Sequence, residues 1–161
     1  YAKECFELVE SLGVKDVEFT GRVNVRDYLG KMDFTLLTSI SEGQPLTILE
    51  SYAAHKPVIT TDVGNCRELI YGNEDGFGDA GILTHIMNIE EIAHAMVNMS
   101  INEENRKRMG EAGYKRVNAF YRIDQMKDVY REIYKGFSDS QNLSWTEESF
   151  KINGHYSNPR K

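Results

Sequence analysis

Apolar and polar positions along this chain alternate between a helical and a strand rhythm. From Ala2 to Leu12, the residues Cys5, Phe6, Leu8, Val9 and Leu12 recur at helical spacing, and Gly13 stands where a C′ residue belongs. Val17-Glu18-Phe19-Thr20 reads as a short strand ending at Gly21-Arg22-Val23. Asn24 is placed to cap a brief helix carrying Val25, Tyr28, Leu29 and Met32. Phe34-Thr35-Leu36-Leu37-Thr38 then predicts a buried strand. A helix from Pro45 to about His55 follows, with Leu46, Leu49 and Ala53 at the spacing of one face. Next come a strand at Pro57-Val58-Ile59-Thr60-Thr61, a short helix over Cys66 to Tyr71 and a last strand at Gly81-Ile82-Leu83-Thr84. Gly72 to Gly78 is dense in turn residues.

Beyond the last strand the rhythm is helical only. Asn88 caps a helix bearing Ile89, Ile92, Ala93, Met96, Val97 and Met99, with Glu91 as the capping-box acid. Asn102 or a neighbour caps a charged helix to about Ala119, on which Glu103, Glu104, Arg106, Lys107 and Arg108 read as a solvated face. Met126, Val129, Tyr130, Ile133, Tyr134 and Phe137 form a further stripe. From Ser138 to Lys161 the pattern fades into polar residues, which predicts an extension, partly disordered. Strand–helix–strand alternation implies a Rossmann-like parallel sheet flanked by helices, with ligands at the carboxyl ends of the strands.

The turn between the central strand and its helix, Ser41-Glu42-Gly43-Gln44-Pro45-Leu46-Thr47-Ile48-Leu49-Glu50, is where the candidate chemistry lies. Pro45 fits the first helical turn, where its missing N–H is no loss. Gly43 lets the backbone pass close to something bulky. Free N–H groups and the positive end of the helix dipole suit a phosphate. Glu42 and Glu50 would repel a bare phosphate but suit sugar hydroxyls attached to one. The competing reading makes Glu42 a helix-start acid complementing the dipole and Glu50 a solvated helix residue.

Glu42 and Glu50 form a Glu-x7-Glu element. With Gly43, Pro45, Leu46, Leu49 and the text from Ala53 to Gly64, it resembles the donor-binding half of family 4 retaining glycosyltransferases of GT-B fold. Gln44, Ser51 and His55 depart from the family's usual Phe, Ala and Gly. Ser39-Ile40-Ser41-Glu42 and Cys66-Arg67-Glu68-Leu69-Ile70 look most like the cytoplasmic glycosyltransferases of Pel exopolysaccharide systems. The resemblance spans roughly residues 3 to 136 and makes residues 1–137 a donor-binding domain. It implies that Glu50 binds the ribose diol, since an ionised carboxylate accepts from both hydroxyls. It also places Glu42 beside the transferred sugar as the catalytic carboxylate. Gly43, Gln44, Pro45 and Leu46 would lie against the sugar and distal phosphate, and Thr47 would reach the phosphate. Arg22 and Val23 would lie beside the nucleobase, Arg22 alternatively being an exposed turn residue. Glu68 is expected only to tie down the Asp62-Val63-Gly64 loop.

The implied reaction moves a hexose from a nucleotide sugar, a UDP-sugar such as UDP-glucose, to a polysaccharide acceptor. It needs no metal and no cofactor, and a membrane-protein partner of an export system is implied. A nucleotide-sugar 2-epimerase of GT-B fold and a non-catalytic nucleotide-sugar binding domain are the alternatives. The family's diphosphate-clamping Gly-Arg and Lys have no counterpart in residues 1 to 20, so residue 1 is expected to fall inside the donor domain, after its first strands. The fragment by itself is then expected to be inactive.

Composition narrows the rest. At 161 residues and 40% hydrophobic content the chain can bury a real core. A net charge of −6 without a basic stripe argues against nucleic acid. The longest apolar runs fall far short of a membrane span. Cys5 and Cys66 lie far apart, as reduced thiols in a cytoplasmic protein would. His55, His85, His94 and His155 share no metal-ligand spacing. Ser39 and Ser41 lack the companions of a nucleophile elbow.

Overall fold

The computed structural model describes residues 1–139; the expected extension from 138 onward therefore lies almost wholly outside the described residues. The backbone falls into two units, Tyr1–Lys31 and the chain from Met32 onward.

In the first unit, α1 (Ala2–Ser11) ends in a Schellman motif. Gly13 takes φ 64°, its N–H bonds the Glu10 carbonyl and the Val14 N–H bonds that of Val9. Cys5 and Val9 are half-buried, whereas Phe6 and Leu8 are exposed. The Phe6 ring meets that of Phe19 at 4.3 Å between centroids. Residues 17–20 are not a strand, contrary to expectation. A β-branched run becomes a strand only where a neighbouring ladder takes its N–H and C=O groups, and none among the described residues does. Asn24 accepts from the Arg26 N–H at the head of the one-turn helix α2 (Arg26–Leu29).

The second unit is built on three parallel strands in the order β1 (Thr35–Leu37), β2 (Val58–Thr61), β3 (Gly81–Thr84). Thr35 lies opposite Val58, and Val58 opposite Gly81. Every residue of β2 is buried, as a strand covered on both faces must be. Its side chains alternate between two cores. Val58 packs with Ile48 and Tyr52 of α3 (Leu46–Ala53), Cys66, Leu69 and Ile70 of α4 (Cys66–Tyr71) and Ala112 of α6 (Glu103–Phe120). Ile59 packs with Ala95 and Met99 of α5 (Ile89–Ile101) and Met109 of α6. Each large side chain so buried contributes about 1.5–3 kcal/mol. A final helix, α7, spans Ile123–Asp139.

Several local expectations change. The buried face of α3 is Ile48, Ser51 and Tyr52; Leu46 is 69% exposed. Pro45 is the N-cap residue (φ −72°, ψ 116°), one position before the first turn. Asn88 does accept from the Glu91 N–H at 3.1 Å, but Glu91 does not complete the capping box. Its Oε2 instead accepts from the His85 N–H at 2.8 Å and lies 2.9 Å from His85 Nδ1, which holds its carboxyl below the usual range. Arg106 is no solvated residue. Its Nη1 donates to the Met99 and Ser100 carbonyls, closing the C-terminus of α5.

Candidate functional site

The loops after β1 and β2 meet at the carboxyl end of the sheet; three contacts lock one to the other, and a fourth braces the first from within. Thr61, the last residue of β2, donates its hydroxyl to the Ser39 carbonyl. The Asn65 N–H donates to the Gly43 carbonyl at 2.9 Å. Gly64, at φ 52°, lies so close that a Cβ there would stand 2.0 Å from the Glu42 carbonyl oxygen. Ser39 Oγ donates to Glu42 Oε1 at 2.6 Å, a charge-assisted bond inside the loop. Glu42 is thereby fixed at both its backbone and its side chain.

The loop opens into α3 without a side-chain cap. The first amide the chain itself satisfies there is that of Ile48, which bonds the Pro45 carbonyl at 3.3 Å. The N–H groups of Leu46 and Thr47 have no partner among the described residues. α5 and α6, by contrast, are capped by the Asn88 and Asn102 side chains. An uncapped N-terminus leaves donors and a partial positive charge for an anion. Gly43, Gln44, Leu46 and Thr47 are exposed, Glu42 is half-buried and Pro45 is buried. Thr47 and Glu50 lie three residues apart on the exposed side of α3, away from Ile48, Ser51 and Tyr52. Arg22 and Val23, both exposed, belong to the first unit, just after Gly21 at φ 66°.

Glycine placement differs from the sequence expectation. An added Cβ at Gly43 would meet nothing within 4 Å. The close approach is made by Gly64, and Gly43 faces open space. Position 55 also acquires a reason. His55 is the C′ residue of α3 at φ 56°, its N–H bonds the Tyr52 carbonyl and the Lys56 N–H bonds that of Ser51. That is a Schellman cap, where the resembled family's glycine would cost nothing sterically. Glu68 does not bond the Asp62-Val63-Gly64 loop; its Oε1 accepts from the Tyr121 hydroxyl at 3.4 Å, which links α4 to the end of α6. Burial, with Glu68 beside it, pushes the Tyr121 phenol up to about 12.

Sequence reasoning missed Ser39, Thr61 and Asn65 as supports of the site. A signal existed for the first, since Ser39-Ile40-Ser41-Glu42 has the Ser-x-x-Glu spacing of a capping box. Among the described residues no three His, Cys, Asp or Glu side chains are grouped to hold a metal. No helix there is long and apolar enough to cross a membrane.

A parallel sheet covered on both faces, with a locked glycine turn and an open helix N-terminus at its carboxyl end, defines a Rossmann-like ligand-binding domain. The chain belongs to the glycosyl transferases group 1 family, whose model matches residues 1–116. It is 32% identical over 130 residues to N-acetyl-alpha-D-glucosaminyl L-malate synthase of Bacillus anthracis, covering 80% of this chain and 33% of that protein. It is 29% identical over 141 residues to an uncharacterized glycosyltransferase of Methanocaldococcus jannaschii, covering 83% of this chain and 38% of that one. The structure of Anabaena HepE in complex with UDP superimposes with a TM-score of 0.74 at 21% identity, over 84% of this chain and 37% of that one. The fold is therefore the GT-B type expected. The chain spans roughly a third of the length of these relatives.

Proposed function

We propose that this chain is the donor-binding part of a retaining glycosyltransferase that moves a hexose from a UDP-sugar, such as UDP-glucose, to a polysaccharide acceptor. One observation carries the reading: the uncapped N-terminus of α3 stands beside a carboxylate, Glu42, that the chain has immobilised. Amide donors suit the diphosphate, and a fixed carboxylate suits the hydroxyls of the transferred sugar. Glu50, exposed on α3, takes the ribose diol. Gly43, Gln44, Pro45, Leu46 and Thr47 line the sugar and distal phosphate. Arg22 and Val23 keep their assignment to the nucleobase on the family pattern alone. The UDP in the HepE structure favours uridine as the base.

Negative charge builds on the departing diphosphate, and preorganised N–H groups lower its energy without a cation. Glu42 supports the positive charge that develops at the anomeric carbon. Departure and attack on one face of the sugar retain its configuration, with the diphosphate taking the acceptor's proton. The Ser39 to Glu42 and Cys66 to Ile70 text extends the proposal to a cytoplasmic enzyme of the Pel exopolysaccharide type, working beside a membrane-protein partner.

The test incubates the full-length enzyme with UDP-glucose, UDP-galactose and UDP-N-acetylglucosamine, with and without EDTA, and separates the products. Released UDP and an α-linked product that survive chelation are expected. Epimerised donor, or binding without turnover, would overturn transfer, and restoration of activity only by Mg²⁺ or Mn²⁺ would overturn the metal-free step.

A further inference from the structure

We propose that Ser39 is a positioning residue for Glu42, holding one carboxylate oxygen so that the other is presented to the transferred sugar; this rests on the donor-site reading above. The Ser39 hydroxyl donates to Oε1 at 2.6 Å. No protein group among the described residues bonds Oε2, so the second oxygen is left for a ligand. The backbone that carries the hydroxyl is itself anchored. Thr61, only 1% exposed, bonds the Ser39 carbonyl, Gly64 packs against the Glu42 carbonyl, and the Asn65 N–H bonds the Gly43 carbonyl. Three residues of the β2 end therefore fix where the β1 loop places its acid.

An acid on a glycine-containing surface loop, unsupported, would sample several rotamers. Only the one aimed at the reacting carbon would help the transition state. Ser39 removes that freedom before the donor arrives, with a short charge-assisted bond. The side chain that lacks partners for nucleophilic work thus has a positioning role. Its proton is committed to Glu42, and it takes no part in bond making.

The experiment uses the full-length enzyme with whichever of UDP-glucose, UDP-galactose and UDP-N-acetylglucosamine the wild type turns over fastest. Ser39→Ala, Ser39→Thr, Glu42→Gln and the Ser39→Ala/Glu42→Gln double variant are compared for kcat, for UDP affinity and for melting temperature. Ser39→Ala is expected to lower kcat by up to roughly 100-fold with UDP affinity unchanged. Ser39→Thr should recover most of the loss, and Ser39→Ala should add almost nothing once Glu42 is Gln. Independent losses in the double variant, or a matching fall in UDP affinity and melting temperature, would mean that Ser39 only supports the fold and would overturn the proposal. If Ser39→Ala does not fold, Ser39→Cys, similar in size and a poor donor, decides the same question: full turnover overturns positioning. Intact turnover in Glu42→Gln removes the catalytic assignment of Glu42 and the proposal with it. Impaired Glu42→Gln beside unimpaired Ser39→Ala removes the proposal alone. No turnover with any of the three donors overturns the donor reading.

Discussion

Arg116 and Asp75, 41 residues apart, form a two-point ion pair: Nε to Oδ2 at 2.6 Å and Nη2 to Oδ1 at 3.1 Å. Their side chains are 1% and 4% exposed. Nη1 donates to the Leu69 and Ile70 carbonyls at the end of α4, and Nη2 also donates to the Gly78 carbonyl. All five guanidinium N–H groups are thus used, and the loop from Gly72 to Gly78 is tied under α6. Tyr52 donates to the same Leu69 carbonyl at 3.0 Å, and burial pushes its phenol well above the ordinary range.

Breaking this pair should cost more than any surface substitution. Asp75→Asn leaves a buried guanidinium without its counter-charge, a loss of about 3–5 kcal/mol. Arg116→Lys should be nearly as harmful, since an ammonium has three donors for five acceptor contacts. Acid dependence follows. Burial raises the Asp75 carboxyl, but the bonds from Arg116 and the Phe77 N–H outweigh it and hold the group below its ordinary value of 3.8. Its contribution is complete above that value and is lost as pH falls through the lowered one. Urea denaturation from pH 7 down to pH 3 should show an acid-side loss in wild type that is smaller in Asp75→Asn. Equal slopes would refute the linkage.

Gly64 and Gly43 should respond oppositely to alanine. At Gly64 the Cβ would stand 2.0 Å from the Glu42 oxygen, and φ 52° is itself unfavourable for Ala. Left-handed backbone and overpacking each cost about 1–3 kcal/mol. Gly64→Ala should therefore lower both stability and turnover. Gly43→Ala meets nothing, so stability should stay within about 0.5 kcal/mol of wild type. Melting curves for the two variants check this, and a larger loss at Gly43 would contradict it.

At the other end of α3, His55 carries strain and repays part of it. Its ring stacks on Tyr114 at 3.7 Å between centroids, and Nδ1 lies 3.2 Å from Glu111 Oε2. The left-handed backbone costs about 1–2 kcal/mol, and an aromatic stack returns about 0.5–1.5 kcal/mol. His55→Gly should then be close to neutral. His55→Ala keeps the strain and loses the stack, so it should be the less stable of the two by about 1 kcal/mol or more in urea titration. The reverse order would show that the conformation of the α3 cap is misassigned.

These residues mark what sequence could and could not show. The bounds of α4 and β3, Cys66–Tyr71 and Gly81–Thr84, were legible because turn residues bracket short apolar runs. The Glu42 to Glu50 turn was legible because glycine, proline and helix spacing coincide in nine residues. Arg116 was not, because its partners lie on α4 and in the loop before β3, and no local pattern marks a buried cation on a polar helix. Arg106 was hidden the same way among Lys107 and Arg108. Residues 17–20 failed for the opposite reason: their composition suits a strand, but strands are made by neighbours.

Glu50→Gln in the full-length enzyme should weaken UDP binding more than Glu42→Gln does, while Glu42→Gln should mainly lower turnover. The two acids differ in setting: Glu42 is held by Ser39 in the loop, and Glu50 stands exposed one turn along α3. On the proposed reading Glu50 binds the ribose, which UDP and the sugar donor share, so its loss removes uniform binding. A hydrogen bond to a charged acceptor contributes roughly 1.5–3 kcal/mol, about one to two decades in affinity. On the same reading Glu42 faces the transferred sugar, which UDP lacks, so its loss is felt where charge develops at the anomeric carbon. A 2′-deoxyribose donor should reproduce the Glu50 defect in wild type and add little in Glu50→Gln. Calorimetry with UDP, set beside initial rates with the sugar donor, separates the roles. If Glu42→Gln lost UDP affinity and Glu50→Gln kept it, the two assignments would be exchanged.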